Sequence, residues 1–280
     1  MRGCVTGPFD VRRRTGRPPP AHPAVEAGRR AGPLASRHPA RAPHAAGERG
    51  RRVSPLGTGT SSDGGPVAPD GSPVGLYRSF PPGREPALIH GAVPPGAAVL
   101  ELGCGAGRIT HALVDLGHPV VAVDQSADML ACVQGATRVH ADIEELDLAR
   151  EFPAVVLASF LINTIVPGQR EAFLATCARH VADDGVVLVQ RTSPDWAASL
   201  RPGREHRSGE FLITITEARL EGGVLHAAQE CRRGETVWTH SWTDVVHSDE
   251  DMEKLAASAG LPLDRWLDEE REWALLRPAR

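Results

Sequence analysis

A chain of 280 residues with a formal charge of −4 is long enough for one large or two small domains. The charge is divided: residues 1–72 carry twelve arginines and five acids, a balance of +7, and the remainder stands at −11. The acidic body disfavours a nucleic-acid groove, and no apolar run approaches the ~20 residues of a membrane span. The five cysteines (Cys4, Cys104, Cys132, Cys177, Cys231) contain no C-x-x-C pair, which argues against a disulfide framework or a zinc site and for a reducing cytoplasm.

The leader, residues 1–72, holds eleven prolines, twelve glycines and the runs Arg12-Arg13-Arg14, Pro18-Pro19-Pro20 and Arg51-Arg52. It has no hydrophobic periodicity and cannot bury enough apolar surface to offset the entropy of ordering, so disorder is expected. It lacks the apolar core of a secretory signal, and its prolines and glycines spoil the amphipathic helix of a transit peptide. A basic tail for nucleic acid is one reading of its charge. A solvated extension is the plainer one, because thirty arginines against the single Lys254 mark GC-rich coding sequence.

The folded domain is expected over residues 73–280, with order beginning near Gly75. Leu76 to Phe80 is a short aromatic segment, and Glu85 to His90 suits a short helix. Val99 to Leu102 reads as a buried strand, followed by a glycine turn and a helix over 108–116 that ends at Gly117. Val120 to Val123 is a continuous apolar run, as in a strand covered on both faces, and it closes on Asp124. Ser126 is a good N-cap for a helix over 127–134. Thr137 to Ala141 is a third strand closing on Asp142, and Pro153 to Phe160 a fourth. A helix over 168–182 and a fifth strand, Val186 to Gln190, follow. This alternation implies an α/β fold, a doubly wound, mostly parallel sheet with helices on both faces. In such sheets ligands bind beyond the carboxyl ends of the strands, where Glu101, Asp124, Asp142 and Ser159 all lie.

After Thr192 the pattern changes. Phe211 to Thr216, Val224 to Cys231 and Thr236 to Val246 read as antiparallel strands, with turns at Gly222-Gly223 and Arg233-Gly234. Residues 204–247 are therefore expected to form a small antiparallel β-sheet inserted in the α/β domain, either a lid for a substrate or a contact in a homodimer. A helix over 250–259 and a strand pair, Leu261 to Leu267 and Glu272 to Leu276, complete the chain.

The chemistry centres on Val99-Leu100-Glu101-Leu102-Gly103-Cys104-Gly105-Ala106-Gly107-Arg108. A dinucleotide site wants G-x-G-x-x-G so that a pyrophosphate reaches the helix N-terminus. Here the spacing is G-x-G-x-G, Arg108 takes the place of the third glycine, and Glu101 suits a pyrophosphate poorly. The stretch closely resembles motif I of the class I S-adenosylmethionine-dependent methyltransferases, and the resemblance covers roughly residues 75–200 and, loosely, the last strand pair. It implies a Rossmann-like fold and S-adenosylmethionine as cofactor. It further implies that Glu101 and the backbone of Gly103, Cys104, Gly105 and Gly107 hold the methionine portion. By the same likeness Asp124, beside Gln125, accepts both ribose hydroxyls. Asp142 faces the adenine amine between Ile143 and Met129, Ser159 and Asn163 line the junction of cofactor and acceptor, and Tyr77 covers the cofactor. Plainer roles stand beside these: Asp142 as cap of a helix over Glu144–Leu148, Tyr77 as packing, Cys104 as a small filler.

Methyl transfer is a direct displacement at carbon that rests largely on alignment and desolvation. A protonated or hydroxyl acceptor also needs a base. The insert offers His206, Glu210, His226, Glu230, His240 and His247. His240 leads, because Trp238, His240 and Trp242 at alternate positions share one strand face; that face is either an acceptor pocket or the insert's own core. Trp196, after the fifth strand, is a further candidate wall. No His/Asp/Glu spacing demands a metal. Ala158-Ser159-Phe160-Leu161-Ile162-Asn163 is not the N/D-P-P-Y/F signature tied to methylation of amide or adenine nitrogens. A late β insert resembles small-molecule methyltransferases, so a nitrogen or oxygen of a small molecule is the expected acceptor. An RNA methyltransferase using the basic leader, a non-catalytic binding protein of the same fold and, more distantly, an NAD-linked dehydrogenase are the alternatives.

Overall fold

The computed structural model describes residues 57–62 and 64–279. In chain order the elements are β1 (Gly57–Ser61), α1 (Val74–Ser79), α2 (Glu85–Ala92), β2 (Val99–Leu102), α3 (Arg108–Asp115), β3 (Val120–Asp124), α4 (Ala127–Leu130) and β4 (Thr137–His140). Next come β5 (Phe152–Leu157), α5 (Gln169–His180), β6 (Val181–Gln190), α6 (Pro194–Ser199), β7 (Glu205–Ser208), β8 (Phe211–Glu221), β9 (Val224–Arg233) and β10 (Thr236–Val245). The chain closes with α7 (Asp249–Ser258), β11 (Leu263–Trp266) and β12 (Trp273–Leu276).

A seven-stranded sheet in the order β11-β12-β6-β5-β2-β3-β4 forms the body. Strands β4, β3, β2, β5 and β6 are parallel, and the final hairpin adds β12 antiparallel to β6. Every residue of β2 is buried, as a central strand covered on both faces requires. On one face Leu100, Leu102 and Val155 pack with Phe173, Leu174 and Cys177 of α5 and with Met252 and Ala256 of α7. On the other, Val99, Ala122 and Val156 pack with Ile89 of α2 and Ile109 and Leu113 of α3. β2 lies between β3 and β5, so successive connections leave it toward opposite edges, and this switch point opens a crevice at its carboxyl end.

Helix ends follow local chemistry. The Ser126 side chain accepts from the Met129 N–H and caps α4, although the helix stops at Leu130, four residues short of the expected 134. Ser248 and Asp251 form a reciprocal capping box on α7. Arg191, 1 % exposed, ties this region to β12: it donates to the Arg271 and His247 carbonyls and pairs with Asp249. Its guanidinium also lies 4.3 Å from the centre of the Trp266 ring.

The second sheet has five antiparallel strands in the order β1-β10-β9-β8-β7. Four come from the expected insert. The fifth corrects the leader boundary at residue 72: Gly57–Ser61 is a strand paired residue for residue with Trp242–Trp238, and order does not wait for Gly75. The expected disorder of residues 1–56 falls outside the described residues. Gly-Thr-Gly-Thr-Ser carries no apolar pattern, and it becomes a strand because Thr58 and Thr60 meet Ser241 and Thr239 through paired hydroxyls. The opposite face of β10 carries Trp238, His240 and Trp242. Trp238 packs with Leu76, Phe211, Ile213 and Cys231, and Tyr77 and Phe80 join that cluster. Trp242 and Val246 pack against Ala197 and Leu200 of the α6 region.

Candidate active site

At the carboxyl end of β2 the backbone turns through Gly103, Gly105 and Gly107, all at positive φ. Two of these glycines serve different needs. A Cβ on Gly103 would lie 2.3 Å from Leu161 Cδ1, so this residue is small to let the segment after β5 approach. A Cβ on Gly105 would meet nothing within 4 Å, so here the turn faces open space. The Gly105 N–H donates to Asp124 Oδ2 at 2.7 Å, and the Ser126 N–H donates to Oδ1 at 2.8 Å. Each oxygen keeps a second lone pair for a hydroxyl. Burial raises the Asp124 carboxyl above its ordinary range against these two bonds, and the charge of Asp70 adds to the rise.

Glu101 is 2 % exposed, and Thr110 donates its hydroxyl to Oε2 at 2.6 Å. Desolvation pushes this carboxyl up to about 7. The nearby cation Arg108 is itself engaged with Glu85 at 2.6 Å. The turn therefore gathers desolvated carboxyls without a matching cation, a donor set that fits a ligand bearing an ammonium, a sulfonium and ribose hydroxyls. A pyrophosphate would meet repulsion from the same groups.

The segment before α1 closes over this turn. Ala68 and Val74 pack on Ala106 and Met129, with Tyr77 against the same cluster. Asp70 accepts from the N–H and hydroxyl of Ser72. Burial pushes the Tyr77 hydroxyl up to about 12, so it stays protonated. The Tyr77 ring meets His240 edge-on with centres 6.0 Å apart, and His240 stacks on Trp242 at 6.0 Å. The structure thus joins Tyr77, His240 and Trp242 into one aromatic series that begins at the glycine turn. Burial lowers the His240 imidazole below its ordinary value, so the ring is neutral near pH 7.

Beyond β5 the chain bends sharply at Ser159 and Phe160, with φ of 55° and 61°, a conformation that costs non-glycine residues free energy and needs support. Gln190 gives that support: its Oε1 accepts from the Ser159 N–H at 2.8 Å, and its Nε2 donates to Glu272 at 2.6 Å.

Other expected site residues are placed differently. Asn163 is 0 % exposed; it donates to the Val245 carbonyl at 2.6 Å and accepts from the Thr192 N–H at 2.9 Å. Both ends of its buried amide are thus engaged in clamping β10 to the end of β6, a structural role beside the one expected at the acceptor. Trp238, 2 % exposed, is core rather than pocket wall. Trp196 is 39 % exposed on α6, outside the His240 series. The Cys104 side chain is buried among the α3-side core, and its N–H is given to the Val123 carbonyl; it is a filler. Met129 is covered by Ala68 and Val74. Ile143 is buried beside Gly103. The Gln125 and Asp142 side chains are exposed, and Asp142 makes no cap bond to the turn of 3₁₀ helix that follows, so capping does not explain it. His206, Glu210 and His226 are exposed. His247 is buried beside Arg170. Asp70, Gln190, Thr192 and Asp244 escaped the sequence reading. Only Asp244 carried a signal, since the alternation of Trp238, His240 and Trp242 continues to it.

A family model described as a methyltransferase domain matches residues 99–185. Among curated proteins, a dTDP-3-amino-3,6-dideoxy-alpha-D-glucopyranose N,N-dimethyltransferase of Streptomyces fradiae is 28 % identical, over 64 % of this chain and 75 % of its own length. A ubiquinone biosynthesis O-methyltransferase of Rhodopseudomonas palustris is 31 % identical, over 55 % of this chain, which spans about half of that relative (54 %). Among solved structures, the CcbJ methyltransferase of Streptomyces caelestis superposes with a TM-score of 0.58 at 21 % identity, covering 72 % of this chain and 91 % of that one. The sugar N-methyltransferase KedS8 of a Streptoalloteichus species gives 0.54 at 16 % identity, covering 74 % and 90 %; these two show likeness of fold. Residues 99–185 thus match a methyltransferase domain, and the strand order, the G-x-G-x-G turn and the acids at the strand ends agree with the likeness of the chain to S-adenosylmethionine-dependent methyltransferases.

Proposed function

We propose that this enzyme moves the methyl group of S-adenosylmethionine to a nitrogen or oxygen of a small organic molecule, with His240 as the base. The observation that carries the reading is His240 itself. Its neutral, half-buried imidazole makes no hydrogen bond to any described residue and stands between Tyr77, which packs at the glycine turn, and Trp242. An unpartnered basic nitrogen in that position is suited to take a proton from an attacking group.

The cofactor supplies a methyl group on a positively charged sulfur. Asp124 binds the ribose through its free lone pairs, and Glu101 with the Gly105 turn receives the ammonium end. Tyr77, Ala68 and Val74 keep water from the turn. His240 holds the proton released by the acceptor on a ring nitrogen. Relatives named for an amino sugar and for ubiquinone biosynthesis support a small acceptor, as does the acidic body. Among the described residues no helix is long and apolar enough to cross a membrane. The four described cysteines are free thiols, which supports a reducing cytoplasm.

A labelled-methyl screen over amine, phenol and sugar acceptors tests this. His240→Gln should lower kcat by about 10²-fold and leave affinity for S-adenosylhomocysteine unchanged. Label entering RNA instead of every small acceptor, or full turnover in the variant, would reject the reading.

A further inference from the structure

The β10 face that carries His240 and Trp242 does not end there. Asp244 is the next residue on it, one position before the end of β10. Thr192, just past β6, donates its hydroxyl to Asp244 Oδ2 at 2.8 Å. Asn163 fixes both neighbours of this contact, holding the Thr192 N–H and the Val245 carbonyl. The other carboxylate oxygen, Oδ1, has no hydrogen bond, and among the described residues no Arg, Lys or His forms an ion pair with Asp244. A half-buried carboxylate held by one neutral hydroxyl is poorly compensated; burial pushes it up to about 7. A structural tether would not require an acid here, since a neutral amide accepts the same hydroxyl.

Four residues of strand separate Asp244 from His240, or about 13 Å along the sheet, and Trp242 lies between them. We propose that Asp244 determines acceptor specificity: its Oδ1 accepts a hydrogen bond from a cationic nitrogen of the acceptor, remote from the group that is methylated. This rests on the reading of His240 as the base at the reacting end. The acceptor is then an elongated cation, with its reacting group at His240, a ring over Trp242 and an ammonium or guanidinium at Asp244. A sugar linked to an anionic diphosphate would be repelled at that end.

The test uses the full chain and three probes: neamine, a two-ring amino sugar with amines at both ends; its derivatives acetylated on one ring at a time; and a nucleoside-diphosphate amino sugar. Wild type should show a KM for neamine at least tenfold below that for the derivative lacking the distal charge. Asp244→Asn, which keeps an acceptor for Thr192, should abolish that difference through KM. Its melting temperature, measured alongside, should be no lower than wild type and its affinity for S-adenosylhomocysteine unchanged, which excludes misfolding. Equal KM values for charged and acetylated probes in wild type, an unaltered preference in the variant, or preference for the diphosphate-linked sugar would overturn the proposal while leaving small-molecule transfer standing. Methyl transfer to none of the probes, nor to any acceptor of the broader screen, would overturn both.

Discussion

Replacing Glu101 by Gln removes an ionisation but keeps an acceptor for the Thr110 hydroxyl, which lies 2.6 Å from the carboxyl. In wild type, burial raises this acid from an ordinary 4.5 to about 7. Each unit is worth about 1.4 kcal/mol, so a charged Glu101 costs the cofactor-free fold about 3 kcal/mol once pH exceeds both values. Between pH 4.5 and about 7 the native state holds more protons than the unfolded chain, so wild-type stability falls as pH rises through that window. Glu101→Gln lacks this fall and is the more stable protein at about pH 8. On the proposed role of Glu101, the ammonium of a bound cofactor would favour the ionised acid, so binding would expel the proton. Wild-type affinity should therefore rise on the order of tenfold between about pH 5.5 and 7.5, whereas the variant stays flat and binds more weakly at the upper end. Urea unfolding at both extremes checks the stability half. Calorimetric titration with S-adenosylhomocysteine in buffers of different ionisation enthalpy counts the released proton. Binding without proton release near pH 6, or a Gln variant less stable than wild type at pH 8, would refute the reasoning.

Three further outcomes are expected. Asp124→Ala should weaken S-adenosylhomocysteine binding by about 3 kcal/mol, roughly a hundredfold, since two hydroxyls lose a charged acceptor; unchanged affinity by calorimetry would remove the ribose assignment. Gly103→Ala, whose Cβ would sit 2.3 Å from Leu161 Cδ1, should cost about 1–3 kcal/mol in thermal unfolding. Adding Leu161→Ala should recover the steric part, and an equal penalty in both backgrounds would contradict the contact. Asn163→Ala strands the Val245 carbonyl and the Thr192 N–H and should cost about 3 kcal/mol. A variant as stable as wild type would show that the clamp is idle.

Much of the α/β body was legible because parallel strands buried on both faces are continuous apolar runs, and acids at or beside the carboxyl ends of β2, β3 and β4 marked the edge where the site is proposed. Local capping chemistry located Ser126. What stayed hidden depends on partners far along the chain. Asn163 reaches a carbonyl 82 residues away, and nothing in its neighbours distinguishes a clamp from a pocket residue. Gln190 reads as the last residue of a strand, and only the left-handed bend at Ser159 and Phe160 gives its amide a purpose. The alternation along β10 was readable and was followed two residues too short, stopping at Trp242 before Asp244.

β1 gives the amino-terminal boundary a practical meaning. It hydrogen-bonds to β10 along its whole length, occupying the edge of the strand that carries His240 and Asp244. A truncation at Gly75, which composition alone would recommend, strips that edge and leaves a ten-residue strand with bare N–H and C=O groups, a template for pairing with other copies. Such a protein would tend to self-associate and to lose register where the acceptor docks. Shortened forms should therefore begin ahead of Gly57, and turnover lost on deeper trimming would report an unprotected sheet rather than a missing catalytic group.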